Sequence, residues 1–326
     1  MRRFNSFGGH TGGWTSSIFV LAVACSVGLG GAMAQSSQSA IERIEMLRGQ
    51  IKNAEAQHAS TEVVGVAWLR LANRYLDQLE FPEAEDAFAR SLRLLRGAGT
   101  QAEVADALDG MGSLDLDTGR LSEARECNKK ALAIYEGLGD RVRAGKIHET
   151  IALAWLLDRR YREAEAESAA GLTELQQVAD PDAGEMVAAY LTHSHAVCAQ
   201  KRCGDALKDV DRAMAVVQEK FPTESLEMVT ALLTQGLEEW KTGAVDASDR
   251  SLGEAVRLAH GLKNLPGPVL VGAQLNVMRQ YGAFLKATHR SPEAAQMEAE
   301  MGRLESEHPA ACNGCTVSVA TLGFMP

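Results

Sequence analysis

A chain of 326 residues in which 46 % are hydrophobic and 23 % charged is neither disordered nor fibrous. Aromatic residues make up only 5 % and there are 8 prolines, so an all-α fold packed through small side chains is expected rather than a sheet-rich one. The formal net charge of −10 repels a phosphate backbone, so nucleic acid is not an expected partner.

Residues 1–34 differ in character from the remainder of the chain. They carry Arg2 and Arg3 but no acid, then an apolar run from Ile18 to Val27 and small residues ending at Ala32-Met33-Ala34. This is the pattern of a secretory signal peptide: the cationic end stays behind while a short apolar helix enters the translocation channel, and small side chains suit the peptidase. Cleavage after Ala34 is expected. The apolar run is shorter than the about 20 residues of a spanning helix, so no integral membrane span is expected after cleavage. Leu21-Ala22-Val23-Ala24-Cys25 loosely resembles a bacterial lipobox, so a lipoprotein anchored at Cys25 is the alternative to a freely periplasmic or secreted protein. Export permits disulfides, and Cys127, Cys198, Cys203, Cys312 and Cys315 remain after cleavage. Their odd number leaves at least one thiol unpaired or paired between chains.

Residues 35–60 hold one amphipathic helix, read over 39–58, that caps the repetitive region C-terminal to it. Over 61–305 a single pattern recurs with a period of about forty. In its first instance Trp68, Leu71, Ala72, Tyr75, Phe81, Ala84, Phe88 and Leu92 fall three or four apart within each half, with a polar break at Asp77-Gln78. That is helix, turn, helix, each apolar on one face. Forty residues on stand Leu108, Met111, Gly112, Gly119, Leu121 and Ala124, then His148, Ile151, Ala152, Trp155, Tyr161 and Ala164. A fourth unit runs through Tyr190, Val197, Cys203 and Ala206, and a fifth through Leu232, Gly236, Gly243 and Ala255. The sixth, through Met278, Tyr281, Gly282 and Ala294, comes after Pro266-Gly267-Pro268. Small residues at Ala72, Gly112, Ala152 and Gly282 mark where paired helices approach, answered by Ala84, Ala124, Ala164 and Ala206 on the second helix. Gly119, Gly139 and Gly243 stand where a helix must end and reverse.

The Trp-x-x-Leu-Ala-x-x-Tyr…Ala-x-x-x-Phe pattern of residues 68–88 resembles the tetratricopeptide repeat, and its spacing of about forty resembles the longer-helix variety of kinesin light chains. The resemblance implies a right-handed α-solenoid of about six units acting as a non-catalytic scaffold for another protein or peptide segment, with no cofactor. It also implies a concave groove lined by the first helix of each unit. Carried onto this sequence, the lining places are Asn73 and Asp77; Asp106, Asp109, Ser113 and Asp117; Lys146 and Glu149; Leu191, His195 and Cys198; Leu233, Leu237 and Trp240; then Asn276, Arg279 and Lys286. One half is acidic and the other apolar with a basic end, which suits a segment with basic residues at one end, an apolar middle and an acidic end or free carboxylate. The lysine-and-asparagine clamp by which related domains hold chaperone tails is not reproduced, because Leu69 and Asp109 occupy two of its places and only Asn73 fits. Asp115 stands where the repeat pattern has Tyr, so its charge must be solvated or paired.

The tail 306–326 contains Cys312-Asn313-Gly314-Cys315, placed for a small disulfide and offering the alternative function, a redox-active or metal-binding envelope protein. Zinc needs two ligands more than this pair, and His308 supplies only one, so no metal is expected. Cys198 and Cys203 straddle the turn of the fourth unit and are also placed to bridge, whereas Cys127 reads as a small buried apolar residue. His193 and His195, two apart on a helix, point about 200° apart and cannot share an ion. No phosphate-binding loop, nucleophile elbow or His-Glu-x-x-His sequence is present, and no enzymatic activity is expected. The reading is an interaction scaffold of a bacterial envelope whose oligomeric state the sequence leaves open.

Overall fold

The computed structural model describes residues 37–308 except 264 and 266. The segment 1–34 with Cys25, and the Cys312/Cys315 pair, lie outside the described residues. Among the described residues thirteen α-helices succeed one another without a strand. Helix α1 spans Ser37–Ala56. Six helical hairpins come after it: α2 (Thr61–Asp77) with α3 (Phe81–Ala98), α4 (Gln101–Asp117) with α5 (Leu121–Leu138), and α6 (Arg141–Leu157) with α7 (Tyr161–Gln176). Then come α8 (Ala183–Ala199) with α9 (Cys203–Lys220), α10 (Leu226–Lys241) with α11 (Val245–Gly261), and α12 (Gly267–Ala287) with α13 (Ser291–Glu307).

Two kinds of helix start alternate along this array. Five first helices open with a side-chain cap that satisfies an otherwise orphaned amide: Ser60, Thr100, Asp140, Asp182 and Ser225 accept from the backbone three residues on. At Thr100 the cap is reciprocal, because Glu103 accepts the Thr100 amide at 2.8 Å. No second helix has such a cap. Each starts directly from a tight turn in which one residue lies in the left-handed region: Leu79, Gly119, Arg159, Lys201, Gly243 and His289, with φ between 58° and 84°. In five of these turns the next amide reaches back five residues to a carbonyl of the first helix, as Glu80 does to Tyr75 at 2.9 Å and Arg120 to Asp115 at 2.7 Å. The carbonyls freed by ending the first helix are thereby used.

Packing obeys the small-residue pattern. Ala72, Ala84, Ala124, Ala152, Ala164 and Ala206 are all fully buried. At Gly112 a Cβ would lie 2.4 Å from Asn128 Nδ2, so the close approach there needs glycine. Gly282 departs from expectation, since a Cβ there would meet only Met297 at an ordinary 3.7 Å. Large side chains recur in register beside these contacts: Leu95, Tyr135 and Leu175, forty residues apart, are each fully buried. Each helix packs on its neighbours in sequence, and every first helix also touches the first helix of the next unit, from α2–α4 through α10–α12. First helices therefore form a continuous inner layer and second helices the outer one. Helix α1 covers the leading edge with Ile44, Leu47 and Ile51, and Arg48 donates to the Tyr75 hydroxyl at 2.8 Å.

Asp115 is buried and paired, its Oδ1 accepting from Arg120 Nε at 2.7 Å. Arg120 also reaches Glu85 of the preceding second helix, as Arg202 does Glu165 and Arg290 does Asp249, so a recurring arginine ties unit to unit. Cys127 is free and only half-buried rather than an apolar core residue, and its thiol donates to the Asp115 carboxylate at 3.8 Å.

The six turns use one conformation but only two use glycine, which makes the others separately testable. Leu79→Gly and His289→Gly are each expected to raise stability by about 0.5–1 kcal/mol, and Gly243→Ala to lower it by about 1–2 kcal/mol, in thermal or urea unfolding. Equal effects of either sign at all three would contradict the assigned turns.

Candidate functional site

The sequence-derived lining residues all lie on first helices, but the inner layer does not expose them equally. On α2, Asn73 is exposed and Asp77 accepts from Arg74 at 2.9 Å. On α4, Asp106 is committed to the hairpin: it accepts the Tyr135 hydroxyl at 2.5 Å and lies 3.7 Å from Arg143. Burial and that carboxylate push the Tyr135 phenol well above its usual range. Asp117, at the far end of α4, has its carboxyl raised by burial alone.

Asp109 on α4, Glu149 on α6 and Glu185 on α8 lie within electrostatic reach of Lys146, and Glu185 is within reach of both other carboxyls. Glu149 is 7 % exposed and Glu185 8 %. Thr192 donates to Glu149 Oε1 at 3.3 Å across the α6–α8 contact. All three carboxyls are raised, chiefly by loss of hydration, and Lys146 of α6 opposes that shift in each of them. Glu185 further raises Glu149, a like charge in the same low-dielectric region.

A second polar layer joins α8 to α10. Ser194 donates to Glu238, whose Oε1 also lies 3.9 Å from His195 Nδ1, and Thr234 Oγ1 is 3.4 Å from His195 Nε2. Burial brings His195 down to about 4, so its imidazole is neutral at neutral pH, while it pushes Glu238 up to about 7 and Lys241 down to about 8. The order hydroxyl, imidazole, carboxylate is that of a hydrolytic triad. Thr234 is only 2 % exposed, however, and stands inside a continuous helix whose amides are spent on its own carbonyls, with none left to hold an oxyanion. The layer is a buried polar network. Among the described residues no group of three or more His, Cys, Asp or Glu is placed to hold a metal.

Leu233 and Leu237 are corrections to the sequence reading. They are 5 % and 8 % exposed and pack into the core around Leu252, Ala255 and Val256, because the apolar face of α10 turns toward α11. Trp240 is partly buried and meets Phe284 edge-on at 5.5 Å between ring centres. Arg279 lies 4.0 Å from Glu305, and exposed Lys286 pairs with Glu298. His193 faces away from His195, onto Asp209 at 2.7 Å. Cys198 and Cys203 form a disulfide across the α8–α9 turn. Glu185, Thr192, Ser194, Thr234 and Glu238 escaped sequence reasoning. Glu185 sits in a first turn where acids are ordinarily helix-start residues, and Glu238 heads a Glu-Glu pair that reads as solvated.

Residues 63–137 match the tetratricopeptide-repeat family. Helices α2 to α5 are thus tetratricopeptide repeats, and the six-hairpin array that continues their register is a tetratricopeptide-like solenoid. No curated protein is matched. Among solved structures the chain is similar to the apo quorum sensor NprR of B. thuringiensis, at 13 % identity and TM-score 0.58 over 92 % of this chain and 77 % of that one. It is also similar to a Rap protein complexed with Competence and Sporulation Factor, at 14 % identity and TM-score 0.52 over 82 % and 86 %. A kinesin light chain of nearly identical tetratricopeptide-like repeats from Podospora anserina aligns at 12 % identity and TM-score 0.51 over 60 % and 94 %. At such identities the likeness is one of fold.

Glu149 supplies a pH test of the first polar layer. Its raised carboxyl binds a proton in the folded state that the unfolded chain has released, so between the usual carboxylate range and the raised value stability falls as pH rises. Glu149→Gln removes that dependence. The variant is expected to match the native protein near pH 5 and to exceed it by about 1–3 kcal/mol near pH 9. Parallel melting curves from pH 5 to pH 9 would contradict the assignment.

Proposed function

We propose that this protein is an exported, non-catalytic scaffold that binds a peptide segment of a partner protein along its inner layer of first helices. The observation that carries this reading is the inner layer itself, where side chains from α6, α8 and α10 meet in two polar layers between successive first helices. Buried polar atoms left over there, among them Asp109 Oδ1, Glu185 Oε2 and Glu238 Oε2, have no hydrogen-bond partner among the described residues. Such atoms cost stability in the free protein and are useful where a ligand completes them. The solenoid likeness to a Rap protein that carries a bound factor supports the same role. Export is supported by the signal-like residues 1–34 and by the Cys198–Cys203 disulfide, a bond that persists in an oxidising compartment.

A displayed library of random linear peptides, selected on the immobilised protein, tests the binding role. Enriched peptides are expected to bind at about micromolar Kd and to lose at least about ten-fold when Asn73→Trp and Ser113→Trp obstruct the inner layer. A variant of the outer layer, Glu174→Arg, is expected to bind as the native protein does. Failure to enrich any sequence, or loss only in the outer-layer variant, would overturn the reading. Intact mass of the protein recovered from its host tests export, and a chain beginning at Gln35 is expected. One beginning at Met1 would contradict it.

A further inference from the structure

The carboxylates of Asp109, Glu149 and Glu185 belong to three successive first helices, and among the described residues Lys146 is the one cation whose field reaches all three. With all three ionised, more negative charge stands in this region than that ammonium can balance. The surrounding groups do not correct the deficit. Arg143 and Asp106 bring one charge of each sign beside Asp109 and lie 3.7 Å apart, Asp182 adds a further negative field at Glu185, and the Tyr135 phenol is neutral and bound to Asp106. On the far side of α6, His148 and Glu167 of α7 pair with each other at 2.8 Å.

Geometry marks the same place. Glu185 is more than nine-tenths buried, yet its Oε2 has no hydrogen-bond partner among the described residues, and neither has Oδ1 of Asp109 on α4. Unused acceptors beside surplus negative charge call for a donor that is itself charged. Asp109 and Lys146 are partly exposed, whereas Glu149 and Glu185 are buried.

We propose that Asp109, Glu149 and Glu185 form the seat for one cationic side chain, an arginine or lysine, of the bound segment. This rests on the peptide-binding reading above and adds a recognition rule to it. A guanidinium suits the seat best, because its planar fork offers donors in several directions at once to acceptors on three helices. Below the raised carboxyl range the seat holds protons in place of the ligand. The arriving cation displaces them, so binding releases protons and tightens as pH rises.

The probe is the tripeptide acetyl-Gly-Arg-Gly-amide, with a citrulline version as the neutral isostere, titrated into the full chain and monitored by nuclear magnetic resonance and calorimetry. The arginine peptide is expected to shift amides around residues 109, 149 and 185, to bind at least ten-fold more tightly than the citrulline peptide, and to bind more tightly at pH 8 than at pH 6. The double variant Glu149→Gln/Glu185→Gln is expected to lose at least ten-fold, and Glu174→Gln of the outer layer to lose nothing. Should the double variant fail to fold, Asp109→Asn takes its place with the same expected loss. Equal binding of the arginine and citrulline peptides, or undiminished binding by the folded variant, would overturn the proposal. Enriched library peptides that lack arginine and lysine would also overturn it while leaving peptide binding intact, whereas a library without enrichment would fall on the broader reading alone.

Discussion

The close approach of paired helices through buried alanine and glycine is the constraint on which the rest of the structure depends. Ala84, Ala124 and Ala164, forty residues apart and fully buried, set how near each second helix lies to its first. At α6 and α7 the approach is nearer still, since a Cβ at Gly171 would stand 2.9 Å from the Gly145 carbonyl oxygen. Once that distance is fixed, the large side chains Leu95, Tyr135 and Leu175 have one place to go, and successive hairpins stack in one register. The stacking in turn brings first helix against first helix. A continuous inner layer is its result.

That inner layer carries a cost which the core does not. Between α6 and α8, and again between α8 and α10, polar side chains meet where hydration is poor, and burial pushes Glu149, Glu185 and Glu238 up while it brings His195 down. A well-packed apolar seam of the same volume is often as stable or more so. Retaining carboxylates there makes sense if something other than stability is served, and recognition of a segment of opposite charge is the use that the groups on hand fit best. The outer layer has a different character. Its arginines, Arg120, Arg202 and Arg290, meet acids of the preceding unit at partly exposed sites and serve to tie the array together.

Much of this was legible in the sequence because it depends on recurrence. Ala84, Ala124, Ala164 and Ala206 announced the helix pairs, and Gly119 and Gly243 two of the turns. The other turns were hidden: Leu79, Arg159, Lys201 and His289 hold the same left-handed backbone without the residue that signals it, because tertiary packing can impose a conformation that local preference disfavours. The first helices of the inner layer were legible by position, but the exposure of their side chains was not. Leu233 and Leu237 lie on a first helix but turn into the core, since periodicity shows that a helix has an apolar face and not how wide it is. Glu185 and Glu238 went unread because an acid near a helix end or beside another acid ordinarily means solvent, and only the neighbouring first helix removes that solvent.

Amide hydrogen exchange on the full chain, with and without a bound peptide at saturation, tests the central claim that the inner layer of first helices is the recognition surface. Protection is expected to rise in α4, α6 and α8 and to stay unchanged in α5, α7 and α9 beyond their turns. Protection confined to the second helices would contradict the claim.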